Sequence, residues 1–189
     1  MLEKAIAALD RQHEVHLRWL PFQLNPSMPK EGISRKEYRT AKFGSWQRSQ
    51  ELDARVVAVG ETEGIHFAFD RIERTPNTFD AHRLIWLADE HGFQDAVVEA
   101  LFRAYFTDGR DISDQQTLID LVAKAVLNRD QAEGVLNSED GLEAITLADK
   151  LARRLEGVPF FIINSRITVS GAQHPDAFLE AFGTVVGRK

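Results

Sequence analysis

The sequence predicts an α/β domain whose strands are separated by a long helical block. Three observations carry that expectation. Apolar residues recur at helical spacing through the middle of the chain. Two short runs near the C-terminus switch to the pattern of strands. An alternating segment near the N-terminus reads as an earlier strand. The expected order is helix, strand, helical block, strand, strand, helix.

Each element rests on particular residues. Leu2, Ala5, Ile6 and Leu9 share one face of an opening helix, although no Ser, Thr, Asp or Asn precedes it as a cap. Val15, Leu17 and Trp19 alternate with His16, Arg18 and Leu20, which predicts a strand ending near Pro21-Phe22. Two prolines make Asn25-Pro26-Ser27-Met28-Pro29 a loop. A polar helix is expected from Lys36 to Val57, interrupted at Gly44, and a short extended piece at Ile65–Phe69.

The helical block follows. Thr75-Pro76-Asn77 is a stop and cap ahead of Leu84, Ile85, Leu87 and Ala88. Val97, Ala100, Leu101, Ala104 and Tyr105 mark the next helix. Ser113-x-x-Gln116 fits a capping box before Leu118, Leu121, Val122 and Ala125. A short helix near Asp130–Leu136 and a longer one through Ile145 and Leu155 complete the block. Val158-Pro159-Phe160-Phe161-Ile162-Ile163 and Arg166-Ile167-Thr168-Val169 then read as two strands joined by a tight turn at Asn164-Ser165. Pro175 opens a last helix carrying Phe178, Phe182 and Val185.

Composition excludes several function classes. The chain has 189 residues, a net charge of −6 and an ordinary share of hydrophobic residues. That balance argues against nucleic acid as a partner, because phosphate binding needs a basic face. No apolar run is long enough to span a bilayer, so no membrane partner is expected. The N-terminus shows no basic segment followed by an apolar stretch, so a cytoplasmic location is expected. The sequence contains no cysteine, which rules out a disulfide, a thiolate zinc site, an iron–sulfur cluster and a cysteine nucleophile within this chain. No P-loop, dinucleotide fingerprint or serine-nucleophile elbow is present, and no cofactor is expected. His13-x-x-His16 straddles a predicted helix-to-strand junction and lacks supporting ligands. Asp108, Asp111 and Asp114 lack calcium-loop spacing and read as turn and helix-start charges. Trp46 and Trp86 read as core.

Four segments, in order and over nearly the whole chain, carry a resemblance. They are Trp19–Pro26, Pro76–Leu84, Gly157-Val158-Pro159-Phe160-Phe161 and Ser170-Gly171-Ala172-Gln173. Together they resemble the DsbA family of thioredoxin-like proteins, in its FrnE-like branch. The resemblance implies a thioredoxin-like fold divided as residues 1–74, a helical insertion at 75–156, and residues 157–189. It implies a cis bond at Val158-Pro159, with the backbone of Val158 free to pair with an extended substrate. Asn25, Pro26 and the Gly171-Ala172-Gln173 loop resemble segments that border the substrate groove in glutathione-using relatives, and His82 lies on a helix whose family counterpart faces the active-site side. The plainer reading of those loops is ordinary loop structure, and of His82 a satisfied, partly buried histidine.

The departure is equally specific. In that family a first strand leads to Cys-x-x-Cys at a helix N-terminus, where the dipole and free N–H groups stabilise a thiolate. Met1–Ile6 resembles the interior of that helix, so the resemblance places the redox pair upstream of Met1 and the first strand outside the sequence. Loss of a central strand takes ladder partners from its neighbours. Three escapes exist: the flanking strands pair directly, another chain supplies a strand, or the natural protein is longer. The expectation for the 189-residue chain is dimerisation or rearrangement around Val15–Leu20.

Three functions compete. The first is a disulfide oxidoreductase or isomerase acting on protein thiols and disulfides, redox-inactive as given. The second is a glutathione-dependent protein resembling 2-hydroxychromene-2-carboxylate isomerase or kappa-class glutathione transferase. The third is a thiol-free peptide-binding module.

Overall fold

Helix dominates the structure, a computed structural model that describes residues 1–9, 13–125, 128–155 and 157–186. The chain divides into two units, one formed by 1–17 with 150–189 and the other by 18–149. Helix α1 (Leu2–Ala7) opens the first unit and lacks a side-chain cap, as its sequence predicts.

The second unit begins with an unforeseen feature. Two-residue strands β1 (Ile33–Ser34) and β2 (Arg74–Thr75) pair antiparallel, Ile33 with Thr75 and Ser34 with Arg74. Between them lie α2 (Arg35–Phe43) and α3 (Trp46–Thr62). Gly44 separates these helices at φ 87°, a left-handed conformation that glycine adopts without a Cβ clash. The side chains of Ser34 and Ser45 accept from the N–H groups of Glu37 and Arg48 and so cap both helices.

Five helices follow: α4 (Phe79–Glu90), α5 (Gln94–Phe106), α6 (Gln115–Ala125), α7 (Arg129–Leu136) and α8 (Leu142–Ala152). Leu84, Leu87, Val97, Leu101, Leu118, Val122 and Val135 fill a common core, which explains the i, i+3, i+4 spacing of the sequence. The cap of α6 differs from the expected Ser113 box. Asp114 accepts from the N–H of Thr117 at 2.7 Å. Ser113 instead donates to Asp111 and to the carbonyl of Glu31. Aspartate one residue nearer the helix has the stronger acceptor and takes the position.

The first unit is completed by β3 (Phe160–Ile163), β4 (Ile167–Ser170) and α9 (Pro175–Val186). β3 and β4 form an antiparallel hairpin in which Phe161 faces Val169 and Ile163 faces Ile167. Asn164 and Ser165 turn the chain at φ 48° and 55°. Phe161, Ile163 and Val169 pack with α1 and α9 around Ala5, Phe178 and Phe182, and the Phe161 and Phe178 rings meet edge to face at 4.9 Å.

Two expected extended segments form no strand. Ile65–Phe69 runs without ladder bonds into a 3-10 turn at Phe69–Arg71. The N–H of Ala68 donates to the carbonyl of Phe106, and Phe67, Phe69 and Phe106 pack ring on ring. Val15–Leu20 is also not a strand. Its alternation is real, but a ladder needs a neighbouring strand and none pairs with it among the described residues. Helix side chains of the second unit hold its C-terminal part instead.

Candidate substrate-holding site

The candidate residues fall in both units. In the first, the Val158–Pro159 bond is cis, as the resemblance implies, and leads directly into β3. Val158 is 47% exposed. The carbonyl of Pro159 accepts from the N–H of Gly171 at 2.8 Å, which ties the proline to the loop beyond β4. Gly171 takes φ 82°, and its carbonyl accepts from the N–H of Gln173. The Gln173 side chain donates to the carbonyl of Ser170 at 2.8 Å. Pro159, Gly171 and Gln173 therefore form one hydrogen-bonded corner, with Ala172 exposed at its tip.

In the second unit, Asn25 is fixed by Tyr38, whose hydroxyl donates to Asn25 Oδ1 at 2.6 Å. The Asn25 carbonyl also accepts from the N–H of Met28, closing the turn around exposed Pro26. His82 sits in the first turn of α4, partly buried. Burial holds its imidazole below the ordinary histidine range, opposed by a hydrogen bond to the Phe22 backbone and by the carboxylate of Asp149. The next residue, Gln23, donates its N–H to Asp149 Oδ1 at 2.7 Å. His82 and Asp149 thus pin the Phe22–Gln23 segment, whereas Asn25 takes a separate partner on α2.

Residues that sequence reading did not single out do most of this positioning. Gln94 and Asp149 are buried polar side chains that bind backbone 75 and 126 residues away in sequence. No local pattern records such a contact. A second buried polar cluster joins Arg35 and Arg39 through the two oxygens of Asp53, at 2.8 and 2.6 Å. The Arg35 guanidinium also lies over the rings of Trp46 and Phe69.

An open depression is lined by Lys30, Glu31, Arg74, Asp111 and Ser113. Within it Arg74 donates to the carbonyls of Glu31 and Gly32 and lies 3.4 Å from Asp111. His16 is exposed and meets Glu14 at 3.5 Å. Among the described residues, no group of three or more His, Asp or Glu side chains is placed to hold a metal, and no helix is long and apolar enough to cross a membrane.

A family model of DSBA-like thioredoxin domains matches residues 1–183. The chain belongs to the DsbA-like thioredoxin family. The crystal structure of a probable DsbA oxidoreductase from Streptomyces coelicolor is similar to it with a TM-score of 0.89 and 30% sequence identity, over 100% of this chain and 82% of that one. No curated protein matches the chain. The DsbA-like fold here is mixed α/β with small sheets and a large helical share, and the family is of the thiol–disulfide oxidoreductase type. This member sequence holds no cysteine, so no residue of it is a thiol nucleophile.

Proposed function

We propose that the chain is the substrate-holding part of a FrnE-like DsbA-family thiol–disulfide oxidoreductase, and that it binds an extended thiol or disulfide peptide without turning it over. The observation that carries this reading is the combination of a family match over residues 1–183 with a cysteine-free sequence. Disulfide exchange proceeds by thiolate attack on a sulfur and release of the other sulfur as thiolate. A chain with no thiolate contributes orientation and backbone pairing only.

The holding surface we assign is Val158 and Pro159, supported by the exposure of Val158 and by the Pro159–Gly171 bond that fixes the corner. Gly171, Ala172 and Gln173 are assigned to its border in the same unit, and Asn25, Pro26 and His82 are assigned to substrate contact on the family resemblance alone. The test has two arms. The 189-residue chain is assayed for disulfide reduction and for binding of a fluorescent extended peptide, with and without reductant. No turnover, with binding insensitive to reductant and weakened by Val158→Glu, is the expected result. Turnover by the cysteine-free chain, or peptide binding indifferent to Val158→Glu, overturns it.

The DNA upstream of the Met1 codon supplies the second arm. An in-frame Cys-x-x-Cys restores the oxidoreductase activity to the longer chain. Serine at the first active position points to glutathione instead. Neither leaves a thiol-free binding module.

A further inference from the structure

We propose that Arg35 and Arg39 form a binding site for a small oxoanion, one that carries a phosphate or carboxylate group. The site lies within the second unit, between α2 and α3, and does not depend on the reading of Val158 and Pro159.

The charge count comes first. Two guanidinium groups share one carboxylate: Arg35 donates to Asp53 Oδ2 at 2.8 Å, and Arg39 donates to Oδ1 at 2.6 Å. Both oxygens of Asp53 are thereby used. Tyr105 also feels both arginines, but burial pushes its hydroxyl up to about 12, so it stays neutral. Its hydroxyl donates to the carbonyl of Arg74. Asp111 lies beside Arg74 at 3.4 Å and is engaged there. One positive charge is left over where water scarcely reaches: Arg35 is 4% exposed and the Arg39 side chain 20%. Burial holds the Arg39 guanidinium below its ordinary range, and the attraction of Asp53 does not restore it. A buried charge without compensation is costly, and a bound anion offsets that cost.

The donors for such an anion are present. A guanidinium has five N–H groups. Arg35 commits only Nη2, to Asp53, and keeps Nε and Nη1. Arg39 commits Nε to Ser49 and Nη2 to Ser49 and Asp53, and keeps Nη1. Among the described residues, no fully buried side-chain nitrogen or oxygen lacks a partner. The uncommitted nitrogens of Arg35 therefore open onto accessible surface. Asp53 holds the two guanidiniums one carboxylate's width apart at their bonded corners. A second carboxylate, or a phosphate, matches a fork of N–H donors of that size.

The surroundings favour an anion over water. Arg35 lies over the rings of Trp46 and Phe69, and Arg39 lies 4.8 Å from the centre of the Phe43 ring. Apolar walls strengthen the attraction between opposite charges, and a guanidinium gives up its water more readily than an ammonium does. Helix α2 carries Arg35, Lys36, Arg39 and Lys42 against one acid, Glu37, in a chain of net charge −6. An anion is thus drawn to this helix and repelled by much of the remaining surface. Only a compact group reaches a guanidinium as buried as Arg35, which selects a small oxoanion over an extended acidic surface.

The 189-residue chain is titrated with sodium phosphate and, separately, with sodium acetate, at an ionic strength held constant with sodium chloride. Calorimetry should show saturable binding of one ion per chain for at least one of the two. In the nitrogen–proton spectrum, the Nε–H signals of Arg35 and Arg39 should move along the same saturation curve. Arg39→Gln should weaken binding about tenfold or more, the loss of one charge-assisted bond. Arg48→Gln, whose partner is Glu51 at 3.1 Å, should leave binding unchanged. Circular dichroism checks that both variants fold, and the wild-type spectrum decides the matter where Arg39→Gln does not. The ion that binds more tightly identifies the group that the natural ligand carries. No saturation with either ion, saturation without movement of the Arg35 and Arg39 signals, or undiminished binding by folded Arg39→Gln overturns the proposal.

Discussion

Gln94 binds the backbone of Trp19 at both ends of its side-chain amide: Oε1 accepts from the Trp19 N–H at 2.8 Å, and Nε2 donates to the Trp19 carbonyl at 3.0 Å. This is the pair of bonds that a neighbouring strand would exchange with Trp19, supplied by a helix side chain. The indole is held beside it, with Nε1 donating to Asp95 at 3.0 Å and the ring edge-on to Phe102. A segment with the alternation of a strand thus satisfies its backbone without a ladder.

Gln94→Leu keeps the bulk and removes both partners of Trp19. Leaving a donor and an acceptor without partners costs about 1–3 kcal/mol for a fully buried group, and this half-buried segment recovers part of that from water. The expected loss is about 1–2 kcal/mol of unfolding free energy in a urea titration. Hydrogen exchange localises it: the Trp19 amide should lose protection while the Leu84–Leu118 core keeps its own. Unchanged exchange at Trp19 would show that the amide is held by something else.

His82 makes stability depend on pH. Its folded pKa is lowered, first by burial, so the unfolded chain binds a proton more readily than the folded one. Stability from this group is then fully present above the unfolded value of about 6.5 and is lost as pH falls through it toward the folded value. Other carboxylates and histidines titrate too, so the informative quantity is a difference. His82→Gln retains an N–H for the Phe22 backbone but cannot be protonated. Between about pH 7.5 and about pH 5, the wild type should lose more stability than His82→Gln in parallel thermal melts. Parallel loss in both proteins would remove His82 as the cause.

Asp53 is the anion shared by two guanidinium groups, and Arg35 and Asp53 are nearly inaccessible to water. Removing one partner of a buried pair leaves charge without compensation, at about 3–5 kcal/mol. Asp53→Ala is expected near that range, measured by denaturant midpoint. Arg35→Met in the same chain should restore part of the loss, because Met fills the space over Trp46 and Phe69 and removes one stranded cation. A double variant no better than Asp53→Ala would show that the cost lies in packing and not in charge.

The parts of this fold that were legible in sequence are those governed by local periodicity. The helical block was readable because Leu84, Leu101 and Leu118 each recur with neighbours at helical spacing and meet in one core. The Asn164-Ser165 turn and the Pro175 helix start were readable because their chemistry is local. Val15–Leu20 was misread because alternation records two-sidedness and not the presence of a partner strand. β1 and β2 were missed because two residues carry no period. The cis geometry of the Val158–Pro159 bond was legible through the resemblance, while the backbone contacts of Gln94 and Asp149 were not. Their roles depend on backbone brought near from distant sequence, and nothing in their own neighbourhood distinguishes them from surface polar residues.

Ser165 is the last position at which local chemistry and observed geometry disagree. Asn164 and Ser165 both take positive φ, with the N–H of Arg166 bonded to the carbonyl of Ile163 across the turn. Asparagine visits this region readily, whereas serine pays the left-handed Cβ clash of about 1–2 kcal/mol. Glycine removes that clash but adds freedom to the unfolded chain, which offsets part of the gain. Ser165→Gly, which creates the Asn-Gly pair favoured in two-residue turns, should therefore raise stability by up to about 1 kcal/mol. Ser165→Val should lower it by more than Ser165→Gly raises it, because a β-branched side chain tolerates positive φ least. The two variants, compared by urea midpoint, must move in opposite directions; movement in the same direction would mean that Ser165 acts through its hydroxyl and not through its backbone.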